Sequence, residues 1–344
     1  MTVAPDDERA TAYVSRLRAA LSAELRPSGL LLDPGRYTRL RQDLMVDGGR
    51  LWHDLTLRTD PHVNLDTLYR GLPAAGVSPL ALPRVLGFGY AQGLALSEWL
   101  LGTPDAAAAT RAAWFNFGIV LFDAVCDHLP AEARQLSDLM GPGGMEQLLC
   151  GRRPEFQPAE HVIVRFLQGI VLRYFTELEL GSASAAFRQE FATAIQRMHE
   201  AETWLTLRAT EPTSLARLWA RLRAKSALPM WTMALTCARH DDGAWNRLMA
   251  ERASVLAAGR ALWILDDLID AHEDRQAGAW SRPWLLLRRE SGSDARDWAR
   301  LLASGIIEAE ARQLKRALLR APAAMREVLQ ATVHSWLCTL PESA

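Results

Sequence analysis

Apolar residues recur at three- and four-residue spacing along almost the whole chain, and stretches of alternating β-branched residues are nearly absent. That period lines apolar side chains along one face of a helix, so the pattern predicts an all-α protein. Breakers divide it into helices near 8–25, 34–57, 64–71, 79–102, 105–129, 159–180, 183–209, 213–239, 242–276, 294–319 and 322–338. The least helical stretches are 26–29, 141–144, 151–158 and 277–282, and none is long enough to act as an interdomain linker. There is no fixed-period repeat and no low-complexity tract beyond the alanines at 106–109. A single helical domain over 1–344 is therefore the simplest expectation.

Composition narrows the function classes. The 344 residues are 49% hydrophobic, ample for a large core. Lysine and arginine number 39 against 40 acidic residues, a balance that gives no reason to expect nucleic acid as a partner. Cys126, Cys150, Cys237 and Cys338 lie far apart and form no metal-ligand spacing, as in a reducing compartment. The acidic, polar N-terminus has no export-signal pattern. The longest apolar region, 78–101, is interrupted by Pro79, Pro83, Arg84 and Glu98, so no membrane span is expected. These features together predict a cytoplasmic protein.

The candidate chemistry lies in two aspartate clusters. In the run from Trp263 to Gly278, Asp266, Asp270 and Asp274 recur every four residues and stack on one helix face. Three carboxylates so arranged repel one another and call for a cation. A hard divalent ion such as Mg²⁺, shared with substrate phosphates, suits an all-oxygen set. A solvated acidic face is the other reading, and the apolar setting of Gly259, Leu262, Trp263 and Ile269 weighs against it.

Upstream, eleven uncharged residues precede Asp123, and Asp127 follows one turn later. Such a helix is buried nearly all round and ends in two carboxylates where its dipole disfavours them. A capping or surface role for Asp127, beside His128 and Pro130, is the alternative.

With these clusters in view, the sequence resembles the class I isoprenoid synthase superfamily, and within it most of all the class I terpene synthases. Those enzymes carry D-D-x-x-D on one helix and N-D-x-x-S-x-x-x-E on a facing one. Asp266, Asp270 and Asp274 match the three ligand positions of the second motif. Their all-carboxylate character is similar to prenyl diphosphate synthases and squalene/phytoene synthases. Asp123 and Asp127 match the ends of the first motif, with Ala124 in place of its middle aspartate. Between them, the stretch from Glu202 through Thr203, Trp204 and Leu205 to Pro212, Thr213, Trp219 and Arg221 resembles the segment that places a diphosphate-contacting arginine. Lys225-Ser226 resembles the lysine-threonine pair of prenyl diphosphate synthases. No tyrosine follows Tyr174, and no G-G-K-x-x-R-P stretch is present.

The resemblance implies a helical bundle of the isoprenoid synthase type, a prenyl diphosphate substrate and a cluster of three Mg²⁺ ions. It assigns Asp123, Asp127, Asp266, Asp270 and Asp274 to metal, and Arg221, Lys225 and Arg275 to diphosphate, with Asp123, Arg221 and Asp266 central to ionisation. Arg275 also suits a pair with Glu273 or a helix cap. Phe115, Asn116, Ile119 and Trp263 are the candidate cavity residues, although each aromatic alone also reads as ordinary core. Asp123 and Asp266 are expected to project from facing helices into one cavity. The implied activity is a terpene cyclase, with a prenyltransferase as the alternative enzyme and a binding protein that keeps the fold as the alternative class. A homodimer is compatible with all three.

Overall fold

The computed structural model describes residues 5–58, 65–207, 214–239, 241–278, 280–292, 296–338 and 340. Every regular element among them is helical, so the all-α expectation holds. In chain order the α-helices begin α1 (Pro5–Leu25), α2 (Pro34–Arg58), α3 (Leu65–Gly71), α4 (Leu82–Leu101) and α5 (Ala106–His128). Next come α6 (Pro130–Ala133), α7 (Ser137–Met140), α8 (Pro142–Leu149), α9 (Val162–Leu178) and α10 (Ala185–Leu207). Then follow α11 (Leu215–Ala238), α12 (Asp242–Ala250), α13 (Arg252–Ile269) and α14 (Ala271–Ala277). The chain closes with α15 (Arg282–Ser291), α16 (Trp298–Ala303), α17 (Ile306–Arg320) and α18 (Arg326–Leu337). Among the described residues, no helix is long and apolar enough to cross a membrane.

Several boundaries differ from the sequence pattern for identifiable reasons. The helix expected over 242–276 is three helices, broken at Glu251 and at Asp270. That expected over 294–319 is divided by Gly305, whose φ of 71° no ordinary side chain tolerates well. Two stretches expected to be non-helical instead start helices. Gly141 in extended backbone leads Pro142 into the first turn of α8, and Ser281 leads Pro283 into that of α15. Proline costs nothing there, because the first-turn amides have no helical acceptor.

The described residues form two compact units. One is drawn from Thr38–Arg208 and Leu228–Arg252. At its centre α5 is buried over most of its surface, with Ala108, Ala112, Trp114, Phe117, Leu121 and Val125 inside. Helix α4 approaches it closely, since a methyl group at Gly93 would lie 2.6 Å from the Cα of Ala109. Trp52 packs edge-on against Phe117 and Phe166, each with centroids 5.8 Å away.

The other unit is drawn from Met1–Tyr37, Ala209–Ala227 and Ala253–Ala344. Tyr13, Leu17, Leu21 and Leu25 form the buried stripe of α1 at the four-residue spacing the pattern requires, and α17 packs on that helix. The Tyr13 hydroxyl donates to the Leu268 carbonyl at 2.6 Å, which ties α1 to the end of α13. Trp298 sits between Tyr13 and Trp284, with ring centroids 4.9 and 4.7 Å apart.

Candidate functional site

The first aspartate cluster lies at the end of α5, where the buried helix meets solvent. Asp123 is half-buried and Asp127, one turn on, is exposed. Helix α10 adds a third carboxylate, Glu202, only 5% exposed. One oxygen from each of the three lies within 4.8 Å of the other two. Drawn closer together, these oxygens could hold one Mg²⁺ ion between them. The donor set is all oxygen and anionic, as that ion prefers.

The sequence of α10 explains why Glu202 is there. Phe187, Phe191, Ala194, Ile195 and Met198 make its buried stripe, and Glu202 falls four residues after Met198 on the same face. His199 packs against Phe122 of α5, ring centroids 5.8 Å apart, which sets the two helices in register just before the carboxylates. Burial pushes the His199 imidazole below its ordinary value, with Glu200 opposing. The sequence pattern had singled out Glu202 only as the start of a matched stretch. An acid on an apolar stripe was the available signal, because a buried carboxylate requires compensation. In that stretch the side chains of Thr203, Trp204 and Leu205 lie outside the described residues, as do Pro212 and Thr213 altogether.

The second cluster spans the junction of α13 and α14. Asp270 occupies the junction itself, yet its amide donates to the Asp266 carbonyl and that of Asp274 to the Asp270 carbonyl, each at 2.9 Å. The four-residue register of Asp266, Asp270 and Asp274 therefore runs through the break. Asp266 is exposed and the other two are half-buried.

Asp267 has a different role. It is buried, and its Oδ2 accepts the Arg282 backbone N–H at 2.7 Å. Burial, then the nearby charge of Asp274, pushes its carboxyl up to about 7, against the pull of the Arg282 amide, the Trp263 indole and Lys225. The Arg282 guanidinium lies over Trp263 at 4.8 Å and Trp219 at 5.1 Å and pairs with the buried Glu310. One arginine thus gathers α11, α13 and α17 around the start of α15.

The remaining sequence candidates divide by environment. Arg221 and Lys225 are both half-buried on α11, one turn apart, and the charge of Lys225 reaches Asp267. Arg275 donates to the Arg296 carbonyl at 2.8 Å and lies over Trp298 at 5.7 Å, at the end of α14. Trp263 meets Trp219 edge-on at 5.9 Å beneath Arg282. Phe115 packs on Tyr174 at 5.4 Å, and the Asn116 amide donates to the Val85 carbonyl at 3.0 Å. Ile119 is half-buried.

No family model matches the chain, and no curated protein matches it. Among solved structures it is similar to a geranylgeranyl pyrophosphate synthase from Lactobacillus brevis. The two share 16% identity, with 89% of this chain and 95% of that one covered and a TM-score of 0.44.

Proposed function

We propose that this chain is a class I isoprenoid synthase of the terpene cyclase kind, which ionises a linear prenyl diphosphate and releases inorganic diphosphate. The observation that carries this reading is the convergence of Asp123, Asp127 and Glu202, two of which were expected as ligands from the sequence alone. The unbroken register of Asp266, Asp270 and Asp274 supports a second carboxylate group of the same chemistry.

Bound Mg²⁺ would neutralise the negative charge that develops on the departing diphosphate, without any proton transfer. In the proposal the carboxylates of both groups hold the metal ions. Arg221 and Lys225, cations one turn apart, bind the diphosphate. The engagement of Arg275 with the Arg296 carbonyl and the Trp298 ring supports giving that duty to α11 rather than to Arg275. Asp267 takes no metal here, because its accepted N–H from Arg282 uses it to hold the ladder in place.

The all-carboxylate ladder and Ala124 favour a second reading, a prenyltransferase that passes the allylic cation to an acceptor. One experiment separates the two. Purified protein is incubated with Mg²⁺ and farnesyl or geranylgeranyl diphosphate, with and without isopentenyl diphosphate. A hydrocarbon or alcohol plus inorganic diphosphate from the single substrate supports the cyclase. Diphosphate release only with the second substrate, giving a longer prenyl diphosphate, replaces it with the prenyltransferase.

A further inference from the structure

At the opposite end of α5 from Asp123, a cavity of about 330 Å³ is lined by Arg50 and Asp54 of α2, Arg111 and Trp114 of α5, and Arg173 and Glu177 of α9. Arg111 precedes Asp123 by twelve residues, about 18 Å of helix at 1.5 Å per residue, so this place is separate from the carboxylate cluster.

The charges around it are unevenly matched. Arg173 pairs with Glu177 at 2.6 Å and lies over the Trp114 ring at 5.3 Å. Arg50 pairs with Asp47 at 3.6 Å. Arg111 is only 9% exposed, and its Nε is buried with no hydrogen-bond acceptor. No ion pair to it forms among the described residues. Trp114, 3% exposed, likewise has an indole N–H with no acceptor. The positive charge of Arg111 is felt nearby, since after burial it is the main influence that holds the Arg239 guanidinium below its ordinary value.

Burying an unpaired guanidinium is costly, and an orphaned indole N–H beside it adds to the cost. Both groups can only donate, so whatever relieves them must accept. An arginine fork matches the oxygens of a phosphoryl group, and the volume suits a compact anion with some water rather than a long chain. Asp54 and Glu177 in the same walls disfavour an extended polyanion. We propose that this cavity is a binding site for a small oxyanion of the phosphate class, held by Arg111 together with the Trp114 indole. Neither residue takes part in the reaction proposed above.

The test is binding of inorganic phosphate and inorganic diphosphate to the full chain by calorimetry and thermal melting, in EDTA and at constant ionic strength set with chloride. Saturable binding of either, with a rise in melting temperature that chloride does not give, is expected for the native chain. Whichever binds more tightly is the better occupant. Arg111→Met should weaken binding about tenfold or more. Without oxyanion it should melt at or above the native temperature, because it removes an unpaired buried charge. Trp114→Phe keeps an aromatic ring under Arg173 and removes the N–H along with the fused five-membered ring, so it should weaken binding roughly threefold to tenfold, which tests the site even if the first variant fails to fold. Absence of saturable binding in the native chain, or affinities unchanged in the folded variants, would overturn the proposal.

Discussion

A buried carboxylate destabilises a fold unless a cation or donors meet it, and Glu202 is buried beside Asp123 and Asp127. Glu202→Gln keeps the shape and removes the charge. In EDTA the variant should melt at or above the native temperature, because repulsion within the cluster is relieved. In activity assays it should need about tenfold more Mg²⁺ for half-maximal diphosphate release, a loss typical of one missing oxygen ligand or its support. A Mg²⁺ titration that superimposes on the native curve would take Glu202 out of the cluster. Three residues earlier, His199 gives a pH dependence with a definite sign. Its folded value is lowered from 6.5, so the unfolded chain takes up a proton at a pH where the folded chain does not. Its contribution is intact above 6.5 and is lost as pH falls from there towards the folded value. His199→Phe keeps a ring against Phe122 and should lose less stability between about pH 7.5 and pH 5.5 than the native chain, read from urea midpoints. Equal losses would show that His199 titrates normally.

Helices α4 and α5 show what small residues do at the scale of an element. Gly87, Gly89 and Gly93 face backbone rather than flexible side-chain ends, and an added methyl group would lie 2.0 Å from the Leu44 carbonyl, 2.9 Å from the Ala113 Cα and 2.6 Å from the Ala109 Cα. Gly93→Ala should therefore destabilise by about 1–3 kcal/mol, since α4 must move off α5. Gly143 in α8 has nothing within 4 Å, and Gly143→Ala should be neutral or stabilising by up to about 1 kcal/mol. Urea unfolding of the two variants reads both values, and equal shifts would show that the α4–α5 contact yields easily. The charge-free run of α5 ending at Asp123 and Asp127, and the four-residue ladder at Asp266, could be read because period and composition act locally. The starts of α8 at Pro142 and of α15 before Pro283 fell in or beside stretches expected to be non-helical, because proline begins a helix as readily as it ends one, and only the preceding backbone decides. The junction at Asp270 left no trace in the pattern because the i to i+4 bonds continue across it. Glu202 escaped because its burial depends on which helix its stripe packs against, a tertiary fact. The unpaired state of Arg111 escaped for the same reason.

For the whole molecule, the proposed reaction makes a demand that neither carboxylate group meets alone. If Asp127 and Asp270 both serve ionisation of one diphosphate, each is needed for the same step and their losses cannot multiply freely. Asp127→Asn and Asp270→Asn each retain the size of the side chain and remove one charge from a repelling set, so both variants should stay folded. Each should lower Mg²⁺-dependent diphosphate release by about a hundredfold or more, the scale on which a lost electrostatic group usually counts. The double variant should then fall little below the weaker single variant, because once one metal group has failed there is no ionisation left for the other to assist. The measurement is the rate of diphosphate release from one prenyl diphosphate at saturating Mg²⁺ for the native chain, the two single variants and the double variant, with melting temperatures as the control for folding. Losses that multiply across the cycle would mean that the two groups act independently. A folded double variant with near-native turnover would remove both from the chemistry and leave the helical scaffold without the activity assigned to it.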